Sequence, residues 1–138
     1  TDIVMMLNGA LAGLVAITAE PLTPGPITAM FIGSIGAIIM YFGTKMLESY
    51  GLDDVVGAIP VHMFAGIFGT LVVPLTNPDT SFGTQFIGTA SVCIFSFGLS
   101  WATFTILKST VGLRISKAAE KLGTDKAEVG VTAYSIRD

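Results

Sequence analysis

Twenty-six consecutive positions, Phe82 through Leu107, carry no charged side chain. An apolar helix of about 20 residues is what crosses a hydrocarbon layer roughly 30 Å thick, so this one run excludes most folds built for water. Directly behind it the chain turns basic. Six of its seven Lys and Arg residues lie in the last 31 positions, the asymmetry of a spanning helix followed by a segment held in the cytoplasm.

The rest of the chain agrees. It is 51% hydrophobic and 12% charged, with a mean hydropathy of +0.75, where soluble domains carry about 25% charged residues. A net charge of -3, without basic residues interleaved with aromatics, gives no footprint for nucleic acid. Cys93 is the only cysteine, so no internal disulfide forms and the redox compartment stays unread. The sequence opens on Thr1 and Asp2 without a basic and then apolar leader, and it reads as a piece of something longer.

Spans are expected at about 3–19, 27–46, 56–75 and 82–107, making residues 1–111 a transmembrane region and 112–138 a cytoplasmic tail. Pro21, Pro24 and Pro26 break the first connection, and Thr76 to Thr80 with Pro78 break the third. Neither connection holds a Lys or Arg. The second holds Lys45 with Glu48, Asp53 and Asp54, while the tail holds Lys108, Arg114, Lys117, Lys121, Lys126 and Arg137. With four spans these two basic segments share one side, and the positive-inside rule makes that side cytoplasmic. The fold class is therefore all-α, a polytopic transmembrane helix bundle with a short cytoplasmic tail.

Glycine pairs recur at helical spacing: Gly9 with Gly13, Gly33 with Gly36, Gly66 with Gly69. In lipid such residues let backbones approach closely, so ordinary packing accounts for them and they name no function. His62 does more. It is the only histidine, sits inside the third uncharged run, and on an ideal helix shares a small-residue stripe with Ala58, Ala65, Gly66 and Gly69. Ionisable groups at this depth are costly and face an interior, a cavity or a permeation path. Pro60, two residues earlier, removes a backbone donor and can open the helix. A buried imidazole bonded to a neighbouring carbonyl is the alternative to one lining a pore. No Ser/His/Asp set, metal-spaced cluster or glycine-rich phosphate loop points to an enzyme.

The stretch from Asp53 and Asp54 through Gly57, Ala58 and Pro60 to His62, followed by Ala65, Gly66, Gly69 and Thr70, resembles the histidine-bearing tenth helix of the ammonium transporter (Amt/Mep/Rh) family. Asn8 through Thr18 resembles the family's eighth helix, and Thr110 to Arg114 its exit from the eleventh. Gly123, Asp125, Ala133 and Tyr134 extend the likeness through the tail. The resemblance implies the last four of eleven helices, and it requires the topology drawn from the charges.

It also implies that His62 is the second of the family's twin histidines, in contact along a hydrophobic conduit. Ammonium carries a full charge that is far costlier to bring into a dry pore than ammonia, so a path that strips its proton lowers the barrier. An imidazole has one donor and one acceptor nitrogen and titrates in water at about pH 6.5, which suits proton relay. Ala58 would line the conduit beside His62. Leu11, with Val15 and Thr18, would supply a wall from the first span or serve as helix packing. The implied substrate is ammonium or ammonia, with no cofactor and no metal. The implied partners are the lipid bilayer, further copies in a homotrimer and, at the tail, a PII-type signalling protein; the location is the cell membrane, multi-pass. A fragment without the first histidine and the aromatic gate is not expected to conduct alone. An ammonium sensor of the same fold, signalling through a partner, is the alternative function.

Met63 and Phe64 depart from the small residues usual after the family's histidine, which implies altered packing. Lys126 to Val131 departs from a pattern carrying a histidine and an acidic residue around Gly130. Glu20, expected at an outer mouth, reads either as a cation attractant or as a solvated loop carboxylate. The tail from 112 to 138 mixes five basic with four acidic side chains, too balanced for a lipid-binding basic cluster, and is expected to be an ordered contact segment.

Overall fold

The first helix starts where a carboxylate holds it. The Asp2 side chain accepts from the Met5 N–H at 3.0 Å and caps α1, Ile3–Ile17, satisfying one of the donors that a helix start leaves open. At its other end the Thr18 hydroxyl donates back to the Val15 carbonyl at 2.7 Å, and the prolines that follow prevent continuation. Helix α2, Pro26–Ser49, opens on proline, whose missing N–H is no loss at a first helical position. It runs on through Lys45 and Glu48, which pair at 3.2 Å in its final turns. The second connection therefore begins at Tyr50.

The third helical stretch, Ile59–Leu75, is not uniform. A π-helical turn, Ile59–Phe64, leads into α3, Ala65–Val72, and the stretch ends in a tight 3-10 turn, Val73–Leu75. Beyond it α4 runs over Phe82–Thr110. In the tail α5, Lys117–Leu122, is capped by Ser116, whose hydroxyl accepts from the Ala119 N–H at 3.2 Å. A second π turn, Asp125–Val129, stops at Gly130 with φ 75°. The computed structural model describes residues 2–131; Ala133, Tyr134 and Arg137 lie outside the described residues. All regular elements among them are helical.

At 1.5 Å per residue, α2 reaches about 36 Å and α4 about 44 Å, more than the roughly 30 Å of a hydrocarbon core. These two are long and apolar enough to cross a membrane. Helix α1 and the Ile59–Leu75 stretch, at about 22 and 26 Å, are shorter.

The chain forms two contact units, residues 1–94 and 95–138. In the first unit the direction of each helix can be read from its neighbours. Asn8 bonds Val56, Val15 meets Gly66, Ala16 meets Gly69 and Glu20 bonds Asn77, both numbers rising together, so α1 and α3 run parallel. Gly9 meets Met40, Gly13 meets Gly33 and Ala16 meets Gly36, so α2 runs against α1. Ala12, Met40, Val61 and Ala65 form the core, none more than 2% exposed, with Met5 and Val15 at its edge. Small residues set how closely the helices approach. A Cβ on Gly36 would lie 2.6 Å from the Ala16 Cβ, one on Gly13 would lie 3.1 Å from the Gly33 oxygen, and one on Gly69 would strike the Ala16 backbone.

In the second unit Gly112, at φ 86°, turns the chain after α4. Leu113 thereby joins Phe97, Ser100, Trp101, Phe104, Thr105 and Lys108 around an open recess of about 350 Å³. An exposed ion pair, Arg114 to Glu120 at 2.9 Å, closes the turn into α5.

Candidate functional site

The segment before His62 settles its own hydrogen bonds. Asp54 accepts from the Ala58 N–H at 2.9 Å through one carboxylate oxygen and from the Ile59 N–H at 2.8 Å through the other. Pro60 has no donor to satisfy, and the Val61 N–H reaches the Gly57 carbonyl at 3.1 Å. Every donor of the opening turn is thus either capped, absent or bonded. Gly57 makes the turn possible at φ 73°, a backbone region open to glycine at no steric cost.

His62 stands in the π turn that follows. The Ala65 N–H donates back to the Pro60 carbonyl, five residues earlier, which widens this turn relative to an α-helix. His62 is exposed in this turn, whereas Ala65 and Gly69, which share its stripe on an ideal helix, are buried. The imidazole is exposed, and among the described residues no protein group bonds it. Ala58 is likewise exposed, as is Leu11 at 42%. A Cβ on Gly66 would lie 3.7 Å from the Val15 Cγ1, and Leu11 and His62 each precede that contact by four residues on parallel helices.

Thr18 spends its hydroxyl on the Val15 carbonyl, and Val15 is half-buried at the core's edge. Met63 is exposed at 48%. Phe64 is half-buried and fills the space left by Gly43 on α2, where a Cβ would lie 2.9 Å from its Cε2. Glu20 is tied rather than free: its carboxylate accepts from the Asn77 side-chain amide at 2.9 Å and from the Leu22 N–H at 3.4 Å.

Two structural residues had no role assigned from sequence, although both stand in the stretches that carry the resemblance. Asp54 could have been found, since an Asp shortly before an apolar helix start is a capping signal. Asn8 gave no such signal, being one amide inside an apolar helix. Among the described residues no group of three or more His, Cys, Asp or Glu side chains is placed to hold a metal ion.

Among the described residues, then, every regular element is helical, two helices are long and apolar enough to cross a membrane, and one exposed imidazole without a bonding partner stands in a widened turn. The sequence model of the Ammonium Transporter Family matches residues 1–134, and the chain belongs to that family. It is 38% identical to the ammonium transporter Amt2 of Archaeoglobus fulgidus over 96% of this chain and 33% of that protein. It is 34% identical to the Amt2 ammonium transporter of Methanocaldococcus jannaschii over 96% of this chain and 34% of that protein. An ammonium transporter of Corynebacterium glutamicum is 32% identical over 94% of this chain and 32% of its own length. The chain thus spans about a third of the length of these curated relatives.

Proposed function

We propose that this chain is the part of an ammonium transporter that carries one pore-lining histidine, and that ammonium or ammonia passes along a hydrophobic path formed by His62, Ala58 and Leu11. Exposure of the His62 imidazole, beside the parallel pairing of its helix with α1, is the observation that carries the reading. A ring with no bonding partner among the described residues, held next to apolar walls, is available to a second imidazole and to a small nitrogenous substrate. Its donor and acceptor nitrogens let it relay a proton while the neutral molecule moves through a medium that rejects the cation.

The four helical stretches are spans 3–19, 27–46, 56–75 and 82–107 of an eleven-helix fold, with residues 1–111 in the membrane and 112–138 in the cytoplasm. The alternation of direction from α1 to α2 to α3 supports this topology, as do the basic residues after α4. Further helices of the same protein cover the exposed apolar side chains of residues 1–94. The whole works as a homotrimer in the cell membrane, with a PII-type signalling protein meeting the tail.

The test is uptake by the full-length transporter reconstituted in vesicles. His62→Ala is expected to abolish selective ammonium flux, or its discrimination against potassium, while the trimer still assembles. Unchanged selective flux would refute the assigned role. Binding of ammonium with partner recruitment and without flux would make the protein a sensor.

A further inference from the structure

We infer that Asn8 is a positioning residue for the path, setting the register between α1, which carries Leu11, and the turn that opens the His62 helix. The inference rests on the role proposed for His62. It begins with a carbonyl that the helix cannot serve. Gly57, at φ 73°, turns the chain just before the helix, so the first carbonyl to accept from the helix is that of Gly57, bonded by the Val61 N–H at 3.1 Å. The Val56 carbonyl lies outside the ladder. Val56 is 69% exposed and the bond that Asn8 makes to it lies at an exposed position, so what the bond adds is a tie between two segments rather than relief of a buried acceptor.

Asn8 supplies the missing donor from another helix, its amide reaching the Val56 oxygen at 3.1 Å. Its placement is close. A Cβ on Gly57 would lie 2.6 Å from the Asn8 Nδ2, so the glycine leaves the room that the amide occupies. Because the donors of the opening turn are served by Asp54 and Gly57 within its own segment, Asn8 gives the hydrogen bond that joins this turn to α1.

The consequence for the path follows from spacing. Leu11 is three residues, nearly one turn, beyond Asn8, while Ala58 is two and His62 six beyond Val56. A slip at this bond moves Leu11 against Ala58 and His62. The pair is fixed independently at its other end, where the Glu20 carboxylate accepts from the Asn77 amide at 2.9 Å and Ala16 packs against Gly69. Loss of the Asn8 bond therefore pivots the two helices and leaves them assembled.

The experiment uses the full-length transporter in vesicles, with uptake of ammonium and of methylammonium measured per molecule inserted. Asn8→Ala and Asn8→Asp, the second of nearly equal size but without the amide donor, are expected to change the ratio of the two uptakes by about threefold or more, the effect of one interhelical hydrogen bond in a membrane. Asn77→Ala, which cuts the tie at the opposite end, is expected to leave the ratio unchanged. Unchanged ratios in both Asn8 variants overturn the inference. So does an equal shift in Asn77→Ala, which would indicate general loosening. His62→Ala, measured alongside, separates the two claims: if it leaves selective flux intact the path itself is wrong, and if it abolishes flux while the Asn8 variants behave as wild type, only the role of Asn8 fails.

Discussion

Helices α2 and α4 are both apolar enough to cross a membrane, yet among the described residues they differ sharply in what packs on them. Along α2 the positions Ile32, Gly36, Met40, Gly43 and Leu47 are buried, at spacings of four, four, three and four, which is one face of a helix. None of the 29 residues of α4 is buried. Glycine marks the contrast most clearly. Gly36 and Gly43 each leave a space that a side chain on another helix occupies, whereas Gly88 and Gly98 have nothing within 4 Å of where a Cβ would stand. Both helices are apolar enough for the bilayer, and among the described residues what separates them is whether their smallest residues meet a matching surface.

That contrast can be broken most severely at Gly69, where any Cβ would strike the Ala16 backbone. Gly69→Val in the full-length protein is expected to cost at least about 3 kcal/mol, read as a lower midpoint in thermal unfolding of the detergent-solubilised protein, because backbone cannot shift as a side chain does. Asp54→Ala removes both oxygens from the Ala58 and Ile59 donors and is expected to cost about 1–2 kcal/mol in the same measurement. Gly98→Ala sharpens the comparison from the other side. It is expected to be neutral or stabilising by up to about 1 kcal/mol, the helix propensity gained, and a clear loss would mean that the intact assembly packs a neighbour against this glycine. The smallest effect belongs to Lys45→Ala, since that ion pair is more than half exposed on both sides and is worth under about 0.5 kcal/mol.

The helical character, the two long apolar helices and the breaks at Pro21 and Pro78 were legible in the sequence because they depend on local chemistry, namely charge, apolar length and missing donors. Family membership was legible through the block around His62. Pairing was not. Gly33 and Gly88 look alike in sequence, and only the partner surface separates them. The π turn at Ile59–Phe64 was hinted at by Pro60, but proline alone does not tell whether a helix will bend, start or widen. Lys45 and Glu48 read as connection residues because they are charged; the helix keeps them by pairing each with the other on its exposed side. Of the proposed path, the residue types were readable from the resemblance, while the amide of Asn8 that reaches Val56 is a long-range contact that no local pattern announces.

The wide turn at His62 also bears on which changes of chain length the protein can survive. One residue more or fewer inside an α-helix rotates everything downstream by about 100°, and here the helix downstream carries Ala65 and Gly69, which are buried against their neighbours. Deleting a single position between Ile59 and Phe64 would restore an ordinary turn locally and at the same time swing the imidazole and the tightly packed small residues onto different bearings. Insertions and deletions should therefore accumulate in the connections at 18–25 and 76–81 and be absent from this hexapeptide, which makes its length, as much as its composition, a hereditary constraint.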